Sequence, residues 1–328
     1  MQTARRTLAF VMDPLSGIDI ASDTTFVLML EAQRRGHRVL YIDPADLVVA
    51  GGRAAATVHP VTLRRQRGSH AELQAPMRLD LDDGIDVVFQ RKDPPVDADY
   101  TTATQILALC RRCLVLNRPE GILGANEKLY ALHFPELMTE TTVVRRIPQL
   151  LDFMEKLDGE MIVKPLHGKG GEGIFLVRRD DRNLMSILEQ ATDFETRWTM
   201  AQRYLPDVRR GDKRILLVDG EPIGAVMRVP AEDEVRSNLH VGGRPERAVL
   251  DGRDRVIIDA IAPALRRDGL FFVGIDVIGG FLTEVNVTSP TGVQEINALE
   301  NSCLEARILD GVEARLDEKL GRTRNFTT

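Results

Sequence analysis

Along roughly the first 125 residues, short apolar runs alternate with amphipathic stretches. Leu8 to Met12 is such a run and predicts a strand. Asp23 then precedes Phe26, Val27, Leu30 and Ala32 at helical spacing, with Asp23 as the cap and Gly36, after Arg35, as the stop. Arg38 to Ile42 follows as a second strand and Ile85 to Gln90 as a third, with a helix from about Thr101 to Cys113 behind it. Gly51 to Arg67, polar and bearing Gly and Arg, reads as loop or a weak edge hairpin. This alternation predicts a parallel sheet with helices on its faces.

From Asn126 the rhythm changes. A short helix over Pro148 to Leu157 is followed by isolated strands. Ile215 to Val218 and Pro222 to Val229, joined by Asp219-Gly220-Glu221, predict an antiparallel hairpin. An amphipathic helix from about Arg253 to Arg267 leads into two apolar strands, Leu270 to Ile278 and Leu282 to Val287. A last helix runs from about Cys303 to Leu320 and ends at Gly321. The second part is α+β in style and belongs to a different domain from the first.

Composition narrows the function classes. The chain has 328 residues and 43% hydrophobic content, enough for two or three packed domains, which excludes whole-chain disorder. With 43 basic and 49 acidic residues the net charge is -6, so no global basic field holds a nucleic acid or an anionic membrane. A polyanionic ligand must meet a local basic site. The apolar run near the start ends at Asp13 after about six residues, short for an export signal, and no stretch approaches the ~18 apolar residues of a spanning helix. A soluble, cytoplasmic protein is expected. Three cysteines make no disulfide framework, and Cys110-Arg111-Arg112-Cys113 has redox spacing. A redox pair should open a helix rather than close one, so both are expected to pack on the helix's inner face.

Chemistry concentrates in two segments. Ile162 to Phe175 reads as strand, glycine loop and strand, with Gly168, Gly170, Gly171 and Gly173 beside Lys164 and Lys169. Glycines leave backbone N–H groups uncovered, so such a loop can fold over phosphates, although it is neither a Walker loop nor a dinucleotide fingerprint. Farther along, Asp276, Glu284 and Asn286 interrupt two otherwise apolar strands. Glu284 and Asn286 share a strand face, and Asp276 lies opposite Glu284 if Gly279, Gly280 and Phe281 form a three-residue turn. Three oxygen ligands on one buried face suit Mg²⁺. Met200 to Pro206, followed by Gly211-Asp212-Lys213-Arg214, offers backbone groups for an adenine edge and Asp212 for ribose hydroxyls. The loop from Val229 to Arg244 is long and polar enough to be a lid. Ordinary turns and solvated loops would account for these last two segments taken singly.

Taken together, the lysine followed by a glycine loop and the Asp…Glu-x-Asn strands resemble the ATP-grasp ligases, and more narrowly the prokaryotic-type glutathione synthetases. Matching segments span most of the chain: Met12-Asp13-Pro14, Leu30 to Gly36, Arg91-Lys92-Asp93-Pro94-Pro95, Asn126-Glu127-Lys128-Leu129, Met200-Ala201-Gln202, Tyr204-Leu205-Pro206, Gly211 to Arg214, Asp219 to Pro222 and Thr283 to Thr291. The resemblance implies an N-terminal parallel-sheet domain over 1–125 and a two-lobed ATP-grasp fold, the small lobe over 126–203 and the large lobe over 204–328. It implies ATP-driven joining of γ-glutamylcysteine to glycine through an acyl phosphate, with Mg²⁺ or Mn²⁺ on Asp276, Glu284 and Asn286. Lys128, Lys164 and the loop glycines Gly168, Gly170 and Gly171 match the phosphate contacts, Gln202, Tyr204 and Leu205 the adenine linker, and Asp212 the ribose contact. Arg214 and Arg228 would hold the acyl phosphate and tetrahedral intermediate. Asn238, Gly242 and Gly243 correspond to a shielding loop, and Arg91, Ser289 and Thr291 to the peptide and glycine end. A homodimer or homotetramer is implied as well. The glycine loop departs from the family pattern at His167 and Lys169, and Val293 to Asn297 drifts. The competing readings are an ATP-grasp ligase with another amine acceptor and a catalytically silent nucleotide-binding regulator.

Overall fold

A computed structural model of the chain describes residues 5–168, 170–231 and 242–325, with side chains as far as Gly321. The described residues form three sheets. In the first, Thr7–Val11 lies parallel to both Arg38–Ile42 and Val87–Gln90, and Leu114–Leu116 continues parallel beyond the latter. Asp23 caps the helix Thr24–Arg34 as its sequence position predicts, accepting from the Phe26 amide at 2.6 Å. One face of this sheet merges with the C-terminal helix and one face of the third sheet, so that Phe10, Phe89, Leu216, Val226, Ile308 and Val312 share a core.

The loop or edge hairpin expected over Gly51 to Arg67 is instead the longest strand of that sheet. Gly51 and Gly52, at φ 58° and 76°, make the hairpin turn, and Arg53–Leu63 runs back between four partners. Ala54 and Ala56 are buried in it, and their low β-propensity hid the strand. Two helix ends are corrected too. The helix expected to reach Cys113 is Ala98–Leu107, so the two cysteines lie beyond it on a bend. The last helix, Leu304–Asn325, passes through Gly321 rather than stopping there.

The second sheet is antiparallel, in the order Phe175–Arg178, Glu160–Pro165, Thr199–Gln202, Thr141–Val144. It has a core of its own, with Leu150, Met154, Leu188, Met161, Val163 and Ala201 fully or nearly buried. Period-two alternation then turns Ile162 and Lys164 to the opposite face. The third sheet is also antiparallel: Arg244–Arg247, Glu221–Val229, Asp212–Val218, Phe272–Ile278, Phe281–Asn286. Asp219 and Gly220, both at positive φ, close its hairpin as a two-residue turn, and Glu221 already pairs with Val218.

Asn117 ties the first sheet to the third. Its Nδ2 donates to Phe272 O at 2.9 Å and Val287 O at 2.7 Å, and its Oδ1 accepts from the Phe272 amide at 2.8 Å. Asn117→Ala orphans three buried backbone groups at the base of both acid-bearing strands. At about 1 kcal/mol for each lost bond, the expected loss is about 3 kcal/mol, read as a lowered urea midpoint with unchanged m-value.

Candidate active site

A cleft of about 1060 Å³ opens where the three sheets meet. Its lining includes Arg91, just after a strand of the first sheet, Lys164 and Gln202 from the second, Gly168, Gly170 and Gly171 from the loop between two of its strands, and Tyr204 and Leu205 from the linker that follows. Lys128, Asp212, Arg214, Arg228, Asp276, Glu284, Asn286, Ser289 and Thr291, also expected from sequence, line it too. Gly242 and Gly243 are absent from the described lining and lead into Arg244–Arg247. Asn238 and Lys169 lie outside the described residues.

Alternation and register build the charged floor. Ile215, Leu217, Ile275, Val277 and Val285 go to the core behind the third sheet, so the even-numbered Asp212, Arg214, Arg228, Asp276, Glu284 and Asn286 share its cleft face. Arg214 pairs across with Asp276 and Asp276 with Glu284, giving one row over three strands. The expected opposition of Asp276 and Glu284 is present, but the three-residue turn is not. Gly279 and Gly280 form a two-residue turn with Ile278 against Phe281, and the odd residue is absorbed as a bulge at Thr283.

Asp276 is 2% exposed and held by two guanidiniums. Arg214 Nε and Nη2 donate to Oδ1 and Oδ2 at 2.5 and 2.9 Å, and Arg228 Nη2 lies 2.9 Å from Oδ2. Burial pushes this carboxyl up, but the two arginines outweigh it and hold it well below the usual carboxylate range. Arg228 also donates to Asp212 Oδ2. Gly274, next along this face, leaves room for the fork: a Cβ there would stand 3.0 Å from Arg214 Cδ.

At the rim of this row Lys128 Nζ meets Glu284 Oε1 at 2.9 Å and the Gly168 carbonyl at 3.4 Å. Burial lowers the Lys128 ammonium's pKa, yet the Glu284 carboxylate more than restores it. Lys164 has no such compensation. Its nearest hydrogen-bond acceptor is Thr283 O at 3.5 Å, and burial brings its pKa down to about 8 despite the pull of Glu284. A charged residue without an assigned role in the sequence reading, Glu127, completes the group. Its Oε1 accepts from the amides of Val287 and Thr288 and from the Thr288 hydroxyl, at 2.9, 3.1 and 2.8 Å. Burial, then the charge of Glu284, push it up. Its place beside Lys128 was the available signal, but only the fold brings it to Glu284.

Gln202 is buried and donates to Thr141 Oγ1 at 2.9 Å. Arg91, 4% exposed, donates to Thr25 Oγ1 and Pro290 O, both at 3.0 Å, while its buried Nη1 has no hydrogen-bond partner among the described residues. An unsatisfied guanidinium N–H in a cleft is a place for a ligand oxygen.

The donor set fits a hard divalent cation. Asn286 uses Nδ2 on Gly274 O at 3.2 Å and Asp276 Oδ2 at 3.3 Å, which leaves its carbonyl oxygen as an acceptor beside Glu284. The mutual charge of Glu127 and Glu284 would be relieved by a cation there. Asp276, with both oxygens on guanidiniums, is the least free of the three expected ligands.

Comparison with known proteins agrees with this geometry. The model of the prokaryotic glutathione synthetase N-terminal domain matches residues 7–122, and that of the prokaryotic glutathione synthetase ATP-grasp domain matches residues 127–301. Glutathione synthetase of Gloeobacter violaceus is 48% identical over 92% of this chain and 95% of that protein. That of Agrobacterium fabrum is 44% identical over 95% of this chain and 98% of its own length. Among solved structures, D-cycloserine synthetase DcsG superposes with a TM-score of 0.67 at 16% identity, covering 94% of this chain and 99% of DcsG. The ATP-grasp ligase PsnB superposes at 0.60 and 15%, covering 95% and 98%, and these two show the fold alone. With both halves matched and near-full-length relatives above 40% identity, the chain belongs to the prokaryotic glutathione synthetase family and has the ATP-grasp fold.

Proposed function

We propose that this chain joins γ-glutamylcysteine to glycine at the expense of ATP, releasing glutathione, ADP and phosphate. The observation that carries the reading is the convergence, in one cleft, of buried Lys128 and Lys164, the row Arg214–Asp276–Glu284 and the unsatisfied Arg91. An acidic protein thereby gains a local cationic site.

A carboxylate is a poor electrophile, so the cysteinyl carboxylate is first phosphorylated and the glycine amine then displaces phosphate. Lys128 and Lys164 would take the nucleotide phosphates, beneath the uncovered amides of Gly168, Gly170 and Gly171. Gln202, Tyr204 and Leu205 would frame the base, and Asp212 the ribose. Arg214 and Arg228, already oriented by Asp276, would receive the charge that builds on the acyl phosphate and on the tetrahedral intermediate. Arg91, Ser289 and Thr291 would hold the peptide and glycine end, with Asn238, Gly242 and Gly243 in the shielding loop. Mg²⁺, when bound, would neutralise charge in phosphoryl transfer, held by Glu284 and Asn286 with Asp276 behind them.

Purified protein with Mg-ATP decides between this reading and its rivals. Phosphate release that requires both γ-glutamylcysteine and glycine supports it. Release with another amine in place of glycine would make the chain a different carboxylate–amine ligase, and binding without turnover would make it a regulator.

Lys164 gives a pH test. Its folded pKa of about 8 lies below the ordinary lysine value, so the free site loses this positive charge as pH rises through 8. Bound phosphate favours the charged form, and nucleotide binding takes up a proton above that pH. ATP affinity is expected to be flat below pH 7 and to weaken above pH 8, by up to about tenfold per unit. In Lys164→Met, affinity should be weaker throughout and lose this dependence. Calorimetric titrations in buffers of different ionisation enthalpy measure both.

A further inference from the structure

The segment Cys110 to Cys113 is not used by the ligation cleft. Cys110 and Cys113 sit on the bend between Ala98–Leu107 and Leu114–Leu116, and their Sγ atoms and a carboxylate oxygen of Asp82 all lie within 4.8 Å of one another. Asp82 comes from the neighbouring short helix Leu81–Gly84. The backbone fixes its carboxylate: Oδ1 accepts from the amides of Arg111, Arg112 and Cys113 at 3.1, 2.8 and 3.0 Å, and Oδ2 from that of Arg111 at 3.0 Å. Oδ2 therefore keeps acceptor capacity toward the thiols. Cys113 is buried, whereas Cys110 and Asp82 are partly open to solvent, so an ion can enter.

The charges around this cluster choose between two kinds of chemistry. Cys113 is buried, its sulfur lies within 4.8 Å of the Cys110 sulfur and of an Asp82 carboxylate oxygen, and Lys319 donates to its backbone carbonyl at 2.7 Å. A nucleophilic thiolate wants positive charge beside it, and here a carboxylate, that of Asp82, lies within 4.8 Å of both sulfurs. A dication reverses that logic, since two thiols and a carboxylate become three anionic ligands around it.

We propose that Asp82, Cys110 and Cys113 form a site for a thiophilic divalent cation of the Zn²⁺ class, separate from the ligation cleft. Two thiolates, one carboxylate oxygen and a water complete a tetrahedron. Each ion bound displaces two protons, one from each thiol, and nothing is oxidised or reduced. The bound ion would staple Leu81–Gly84 to the segment entering Leu114–Leu116, and so act on the N-terminal sheet.

Co²⁺ titration of the reduced full-length chain tests this, because sulfur-to-cobalt charge transfer absorbs in the near ultraviolet and an oxygen-lined Mg²⁺ site gives none. The expected result is a band that saturates at one equivalent, persists in excess Mg²⁺, is displaced by Zn²⁺ and is lost in Cys110→Ser. Zn²⁺ should raise the thermal midpoint of the unsubstituted chain and not that of Cys110→Ser, whose partly exposed position keeps the variant folded. No charge-transfer band, a band that survives Cys110→Ser, or a pair that only closes to a disulfide overturns the proposal. The ligation assay is independent of every arm, so failure here leaves the cleft's reading standing.

Discussion

Glu284→Gln is expected to lower kcat/KM for glutathione formation by roughly 10²–10³-fold and to leave a folded protein. Glu284 ends the Arg214–Asp276 row beside Lys128. It pairs with Lys128 at 2.9 Å and raises Glu127 by its charge. The amide keeps an oxygen for Lys128 and so avoids stranding a buried ammonium, which bounds the stability cost at about 1–2 kcal/mol. What it removes is the negative charge that would hold a cation against the nucleotide. The loss should therefore fall mainly on turnover, with an increased requirement for Mg²⁺ and a nearly unchanged thermal midpoint. Steady-state phosphate release over a Mg²⁺ series checks this. A variant within about threefold of the unsubstituted rate would remove Glu284 from the machinery.

The reason Glu284 was legible lies in burial: two otherwise apolar strands carry acids and an amide where nothing but a partner or an ion justifies them. The same reasoning found Asp276 and Asn286. It did not find that Asp276 belongs first to Arg214 and Arg228. Arg214 lies 62 positions from Asp276, and only the pairing of their two strands brings the two together. Local rules were enough for the helix Thr24–Arg34, whose cap and stop lie inside one window. They failed at Arg53–Leu63, where the alanines carry no period and pairing with four other strands decides. They failed also at Ala98–Leu107, because what holds the segment after it is the carboxylate of Asp82, some 30 residues back. Turn lengths were misjudged for a related cause. Glu284 faces Asp276 through the bulge at Thr283, and a bulge changes parity without leaving a glycine or proline in the sequence to mark it.

Arg228→Met should cost more stability than any other single change at the cleft, on the order of 3–5 kcal/mol, and abolish measurable ligation. Arg228 is 5% exposed and bridges Asp212 and Asp276, so its loss leaves buried carboxylate charge short of a counterion. Arg228→Lys keeps one positive charge but cannot span both acids, and should fall between. The pH dependence identifies the cause. The Asp276 carboxyl is depressed in the folded chain, so the stability it contributes is present above the ordinary carboxylate range, near pH 4, and is lost as pH falls through the folded value. With one guanidinium gone, burial is opposed by Arg214 alone, the carboxyl titrates higher, and the variant has less of this contribution to lose. The gap between the unsubstituted chain and Arg228→Met should thus be widest at neutral pH and narrow below about pH 4. Urea midpoints at pH 7 and pH 3.5 measure it. A gap of equal size at both would mean that Arg228 stabilises the sheet by packing its stem, and that the charge quartet contributes little.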